Sequence, residues 1–336
     1  MQSTDKHNLN YRLERGHGII LPDADVGLDV SANVAKHIFV SHAHADHLPR
    51  DRYMHVYATP PTARLMQLRG FRGDVTELEF GKPVEFDYCR VTLWPAGHIL
   101  GSAMIEVETE AGRILYTGDY KTPPSLVTEG FTCPDATDFF ITESTFPLPI
   151  YKWKPHDELF AEMRAFATEA LDEGYTPVFL GYNLGKAQEI MHGLAPLGLP
   201  VQIHGAGYEL CKVYEEFGFP LGNWDKYDRA TAQDGRILIT PSSALESPML
   251  RNIRRKRVAY VSGWATHESR RVQLTVDKLF PLSDHIDFFE LLELCKKLNP
   301  RKVYITHTPN PRVVQHYLSE AGIASQPLEI EGYEDD

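Results

Sequence analysis

Residues 41–47 read Ser-His-Ala-His-Ala-Asp-His, and they directly follow His37-Ile38-Phe39-Val40, which has the run of a buried strand. Three imidazoles and a carboxylate crowded together at a strand end converge only if they share a cation. Imidazole suits zinc and similar metals, and a carboxylate can bind or bridge a second ion. Ala43 and Ala45 are small enough to let the loop curl without obstructing His42, His44, Asp46 and His47. A chance run of exposed histidines is the competing reading, and the weaker one. A metal-dependent hydrolase is the first expectation.

Further candidate ligands stand at other strand ends. His98 lies in Pro95-Ala96-Gly97-His98-Ile99-Leu100-Gly101-Ser102, and Asp119 closes Leu115-Tyr116-Thr117-Gly118-Asp119. His307 follows the apolar run Val303–Thr306. Alone, each has a plain explanation, because a single histidine is usually a satisfied partial-core residue and Gly-Asp usually marks a turn. Their order after the first motif favours the ligand reading.

The first half of the chain otherwise reads as short strands and loops. Val84–Leu93 is rich in strand formers. Ala103–Thr109 and Arg113–Thr117 look like two strands joined by a turn at Glu110-Ala111-Gly112, and Asp138–Thr142 is a further strand. Thr59 can cap a helix over Thr62–Arg69, ended by Gly70, and a second helix starts at Pro155. Strand and helix then alternate. Strands are expected at Pro177–Gly181, Val201–His204, Arg236–Thr240 and Val258–Ser262, with helices from Asn183 or Gly185 to Leu194 and across Tyr208–Phe217. This pattern predicts a small α/β unit with a parallel sheet. Strand Val272–Lys278, helix Ile286–Leu298, strand Val303–Thr306 and helix Val313–Ala321 complete the reading. The expectation is one larger α/β domain, formed by residues 1–176 and 267–336, with residues 177–266 inserted into it.

Composition adds exclusions. The 43% hydrophobic and 24% charged fractions are those of a globular protein, and no apolar run is long enough to cross a bilayer. Met1–Leu13 is polar, unlike a secretory signal, so a cytoplasmic location without membrane attachment is expected. Cys89, Cys133, Cys211 and Cys295 are scattered, form no paired motif, and read as free thiols. A net charge of −12 argues mildly against a surface that binds nucleic acid everywhere. One basic stretch runs against that charge: Arg251, Arg254, Arg255, Lys256, Arg257, Arg270, Arg271 and Lys278, opposed by Glu268 and Asp277. A solvated helix end and a phosphate-binding patch explain it equally well.

The motifs together resemble a known family. His42 to His47, then Ala96-Gly97-His98-Ile99-Leu100-Gly101-Ser102, then Tyr116-Thr117-Gly118-Asp119 look like the metallo-β-lactamase superfamily. Ile141-Thr142-Glu143-Ser144-Thr145-Phe146, Leu282-Ser283-Asp284-His285 and Ile305-Thr306-His307 are similar to its nuclease branch, which carries the β-CASP insertion. Leu21-Pro22 ahead of Asp29, the run Phe140–Trp153, the helix start at Leu184 and the run Phe280–Phe288 most resemble bacterial ligase-associated DNA exonucleases. The likeness spans nearly the whole chain.

The resemblance implies an αββα sandwich with an inserted α/β β-CASP domain, and two divalent metal ions, zinc or manganese. It implies that His42, His44 and His98 hold one ion, that Asp46, His47 and His307 hold the other, and that Asp119 bridges them. Asp29 would orient the metal-binding loop. In the family a glycine usually follows the last histidine; here the residue is Thr308. Two cations acidify a shared water and clamp phosphate oxygens for in-line attack. Asp46 would steer the attacking group, and Glu143 with His285 would supply the proton for the leaving oxygen. The implied partners are nucleic acid, DNA before RNA, together with a DNA ligase and a helicase.

Other substrate contacts rest on local sequence. Lys186, Ser242 and Ser243 stand where helix N-termini attract phosphate, and they serve equally as ordinary caps. Tyr151, Trp153 and Trp264 are candidates for stacking on bases, with core packing as the default. The expected activity is that of a metal-dependent DNA exonuclease in repair. An RNA-processing nuclease, a small-molecule hydrolase of the same superfamily and an inactive nucleic-acid-binding protein are the alternatives.

Overall fold

The computed structural model describes residues 8–14 and 17–330, so most of the polar N-terminal stretch and the last acidic residues lie outside it. The chain divides into two compact units. The first comprises Met1–Pro124, Thr128–Lys152 and His285–Asp335; the second is built mainly of Trp153–Asp284.

Two sheets belong to the first unit. One joins β1 (Arg12–Glu14), β2 (Gly18–Leu21), β3 (Val26–Leu28), β4 (His37–Phe39), β5 (Val56–Ala58) and β6 (Val75–Glu77) in that order. The other contains β7 (Val84–Glu85), β8 (Arg90–Pro95), β9 (Ala103–Thr109), β10 (Gly112–Tyr116), β11 (Phe139–Glu143), β18 (Lys302–Thr306) and β19 (Ser325–Pro327). Its order is β19-β18-β11-β10-β9-β8-β7. The turn at Glu110–Gly112 joins β9 and β10 as an antiparallel pair, as the sequence predicts. From β10 onward, through β11, β18 and β19, the pairing is parallel.

An apolar cluster takes side chains from both sheets, among them Ile19, Val26, Phe39, Ile105, Tyr116, Ile141 and Tyr304. A second cluster joins the alternate residues of the larger sheet, such as Met104, Leu115, Phe140 and Ile305, to α7 (Phe288–Leu298) and α8 (Pro311–Glu320). Alternation along each strand therefore feeds two cores. Helix α1 (Pro60–Leu68) begins where Thr59 accepts the Thr62 N–H, and Pro60 occupies the first turn, where no intrahelical N–H is needed.

In the second unit the sheet is wholly parallel, ordered β14-β13-β15-β12-β16-β17. Its strands are β12 (Thr176–Leu180), β13 (Val201–Ile203), β14 (Trp224–Lys226), β15 (Ile237–Thr240), β16 (Lys256–Val261) and β17 (Lys278–Phe280). The helices are α2 (His156–Asp172), α3 (Lys186–Leu194), α4 (Gly205–Glu216), α5 (Pro248–Arg251) and α6 (Ser269–Leu274).

One sequence expectation fails here. Val272–Lys278 is not a strand: its first residues finish α6, Thr275 turns the chain in the left-handed region, and β17 starts only at Lys278. Val272, Leu274 and Val276 alternate like a strand, but Leu274 and Val276 pack on the core from a helix end and a turn while Val272 is 82% exposed, so the alternation does not mark a strand.

Among the described residues no helix is long and apolar enough to cross a membrane. The four cysteines are free, three of them buried.

Candidate metal centre

The site lies in the first unit, at the carboxyl ends of parallel strands. Strands β3 and β4 run side by side, with Leu28 opposite Phe39, so Asp29 and the loop that follows β4 emerge at one edge. Asp119 follows β10, Glu143 is the last residue of β11, and His307 follows β18. The parallel register Glu143↔Thr306 places those last two ends together. Carboxyl edges of parallel strands are common sites for ligands, because the loops there are free to vary while the sheet holds their roots.

Asp119 is the common point. Its Oδ2 lies 3.5 Å from His42 Nε2, 3.4 Å from His47 Nε2 and 3.8 Å from His98 Nε2. His44 Nδ1 faces His98 Nε2 at 3.0 Å. Two groups of potential ligands result, each drawn together within 4.8 Å: His42, His44, His98 and Asp119, and His47, Asp119 and His307. All six of these side chains are buried. Asp46 stands outside both groups, at the rim, with Oδ2 3.7 Å from His47 Nε2.

A metal ion fits this donor set. His42 Nε2, His47 Nε2 and Asp46 Oδ1 are buried without a hydrogen-bond partner. Buried polar atoms are rarely left unsatisfied, and bare nitrogens aimed at a shared carboxylate are what metal ligation requires. Electrostatics tell the same story in the absence of a cation. Burial, with His47 nearby, pushes His42 well below the ordinary imidazole range. Burial acts on His47 in the same direction, but Asp119, Asp46 and Asp29 together outweigh it and hold His47 well above that range. Burial would raise Asp119, yet the surrounding imidazoles keep it well below the usual carboxylate range.

The loop is held from behind. Asp29 accepts the Ser41 N–H (2.7 Å) and Ser41 hydroxyl (2.6 Å), faces His47 Nδ1 at 2.7 Å, and accepts the Tyr116 hydroxyl at 2.8 Å. With Nδ1 held by a carboxylate, His47 keeps Nε2 for the site. Gly118 adopts φ +53°, and a Cβ there would meet Ser41 Oγ at 2.5 Å, so only glycine lets β10 deliver Asp119 this close to the loop. Ser102 Oγ accepts the N–H groups of His98 and Ile99 and sets the turn that presents His98. Asp29 and His307 both have left-handed backbone, at φ +49° and +43°, a strained state typical of sites that need it. Thr308, in the position of the family's glycine, is buried.

Beside Asp119 sits an acid–imidazole pair. His285 Nδ1 lies 2.9 Å from Glu143 Oε1, and Asp119, Glu143 and His285 offer ligand atoms within 4.8 Å of one another. Glu143 is wholly buried and also accepts the Tyr120 N–H and the Thr145 N–H and hydroxyl. Asp287 caps α7 by accepting from Phe289 and Glu290, which anchors the chain just beyond His285.

Sequence reasoning missed Ser41, Tyr116, Ser102 and Thr145. Hydroxyls next to ligands carry no periodic signal, although the Gly101-Ser102 turn is visible in the sequence.

In the second unit, Lys186 is buried and its Nζ pairs with Asp284 Oδ1 at 2.8 Å. Ser242 and Ser243 open a short turn after β15. Part of the basic stretch is internally satisfied: Arg255 and Arg257 lie over the Tyr175 ring, and Arg257 pairs with Glu173.

No family model matches the chain. It does have relatives among known proteins. A probable DNA ligase of Opitutus terrae is 36% identical over 294 residues, which is 87% of this chain and 28% of that protein. The 5′ exonuclease Apollo of Gallus gallus is 27% identical over 85% of this chain and 63% of its own length. An RNase J-like protein of Methanocaldococcus jannaschii is 28% identical over 46% of this chain and 42% of its own. The chain thus matches less than two thirds of the length of each of these relatives. Its homologues include nucleases of the β-CASP branch of the metallo-β-lactamase superfamily, beside the matching part of the probable DNA ligase.

Proposed function

We propose that the chain is a metal-dependent nuclease that hydrolyses phosphodiester bonds, with DNA ends as substrate and DNA repair as its setting. The observation that carries this reading is Asp119, reached by two groups of buried imidazoles and flanked by the Glu143–His285 pair. A small-molecule hydrolase needs the imidazoles but has no evident use for that pair.

His42, His44, His98 and Asp119 would hold one divalent ion, and His47, Asp119 and His307 a second, with Asp46 completing it from the rim. Imidazole-rich ligation suits zinc, and the carboxylates admit manganese. When bound, the ions supply Lewis acidity at the phosphate oxygens and make water acidic enough to attack near neutral pH. The remaining tasks fall to the chain. Asp29 holds His47 in the tautomer that frees Nε2. Glu143 holds His285 by Nδ1, so its Nε2 is the atom placed to protonate the departing oxygen.

The two sheets of the first unit, each contributing to a shared apolar cluster, support an αββα sandwich. We read residues 177–266 as the β-CASP insertion, lying within the parallel-sheet unit that is built mainly of Trp153–Asp284. Homology to part of a protein called a probable DNA ligase supports joint action with a ligase. A helicase partner rests on the sequence resemblance alone, and a cytoplasmic setting on the lack of an apolar run long enough to cross a bilayer. A second reading, RNA processing, is favoured by the RNase-named relatives.

The test is a gel assay of 5′- and 3′-labelled single- and double-stranded DNA and RNA with Mn²⁺ or Zn²⁺. Stepwise shortening of DNA from one end is expected. Cleavage of RNA alone would move the assignment to the second reading, and no cleavage with either metal would remove both.

A further inference from the structure

A cleft of about 310 Å³ opens in the first unit beside the metal-binding loop, lined by Ala45, Leu48, Pro49, Arg50, Arg52, Arg69 and Phe71. Ala45 lies between His44 and Asp46, so the cleft shares a wall with the candidate metal centre. Three of its seven lining residues are arginine, in a chain whose net charge is −12. Arg50 contacts the imidazole of His17, and among the described residues neither Arg50 nor Arg52 is paired with a carboxylate. Surface guanidiniums in so acidic a chain ordinarily pair with carboxylates, so Arg50 and Arg52 together call for an anion.

The guanidinium of Arg52 is also given a seat. Gly70, just past the end of α1, has φ +94°, and a Cβ there would meet Arg52 Nη1 at 2.5 Å. Arg52 O accepts the Arg72 N–H at 2.8 Å, which ties the two walls together. Carbonyls at the end of α1 favour a cation in that notch. Leu48, Pro49 and buried Phe71 add apolar lining to the same cleft. Guanidiniums and apolar side chains in one cleft match a phosphate joined to a flat base, and the volume is that of one small ligand group.

We infer that this cleft is a backbone subsite, holding a phosphate of the DNA strand next to the one being cleaved, with Arg50 and Arg52 as its principal contacts. The inference rests on the nuclease reading and adds to it where the strand runs. The cleft fixes the approach of the strand, since a phosphate seated beside Ala45 leaves its neighbour to enter over Asp46.

The experiment compares a DNA oligonucleotide with bis(p-nitrophenyl) phosphate, a diester too small to reach the cleft. In Arg52→Ala the ratio of kcat/KM for DNA to that for the small diester should fall roughly tenfold, the scale of one lost charge-assisted contact. The log–log dependence of KM on salt should lose about 0.7–0.9 of slope for each phosphate contact removed. Arg52→Lys should recover most of the salt slope. An unchanged ratio and slope would overturn the subsite. So would an equal loss on both substrates accompanied by a lower Tm, because Arg52 would then serve the fold. Should Arg52→Ala fail to fold, Arg50→Gln carries the same comparison. If wild type cleaves neither substrate, the nuclease reading fails, and the salt slope of DNA binding by anisotropy still decides the cleft.

Discussion

Asp29 Oδ2 and His47 Nδ1 lie 2.7 Å apart, and the same oxygen accepts the hydroxyl of Tyr116 from a strand of the other sheet. One buried carboxylate thereby fixes an imidazole tautomer and ties two sheets to the metal-binding loop. Asp29→Asn should cost roughly 10–100-fold in metal affinity, the usual scale for a partner behind a ligand. Competition with a metallochromic chelator measures it, and wild-type affinity would leave Asp29 as an ordinary turn residue.

Asp119→Ala should abolish both metal retention and cleavage, because the two ligand groups have only this carboxylate in common. Metal analysis after gel filtration, run beside the cleavage assay, gives the answer. A fully active variant would sink the bridging role.

His285→Ala should keep its metal and lose roughly 10²–10⁴-fold in turnover, the range for a lost general acid. Part of the loss should be recovered on a substrate with a p-nitrophenolate leaving group, which departs without a proton. Equal losses on both substrates would remove His285 from proton donation.

Chelation should lower Tm as well as activity. Without a cation, His42 and His47 keep buried nitrogens with no hydrogen-bond partner, and metal bound only to the folded state stabilises it by mass action. Thermal melts with and without EDTA test this, and identical melting curves would argue against tight binding.

Glu106 gives a prediction about pH. It is buried, accepts from Trp94 Nε1 at 2.9 Å, and is raised above its ordinary 4.5 chiefly by burial. A carboxyl raised on folding costs nothing below pH 4.5, where both states hold the proton, and the cost grows as pH climbs through the folded value. Glu106→Gln keeps the acceptor for Trp94 and removes the charge. The variant should melt higher than wild type at pH 7–8, with the gap closing toward pH 4.5. A gap that widens on acidification would reverse the sign.

Much of the site was legible because ligation imposes residue types. His42, His44, His47, His98, Asp119 and His307 have few other reasons to stand at successive strand ends, and the structure gathers them. The supports were not legible, since Ser41 and Tyr116 act through contacts between strands far apart in the chain. Strands with sharp turns, such as β9 and β10, were read nearly to the residue. Val272–Lys278 was misread because exposure is not written in alternation. Lys186, read as a phosphate contact or an ordinary cap at a helix start, lies buried against Asp284, 98 residues away. No local pattern reveals a partner at that distance.

The parallel pairing of β10, β11 and β18 has a practical consequence. Their registers bring Asp119, Glu143 and His307 to one edge, and a slip of two residues in any one strand would carry its residue about 6–7 Å away. The reaction centre therefore acts as a gauge of assembly. Specific activity per mole of protein should count the molecules in a preparation whose three central strands have zipped in register, including after refolding, where spectroscopic strand content cannot distinguish them from slipped ones.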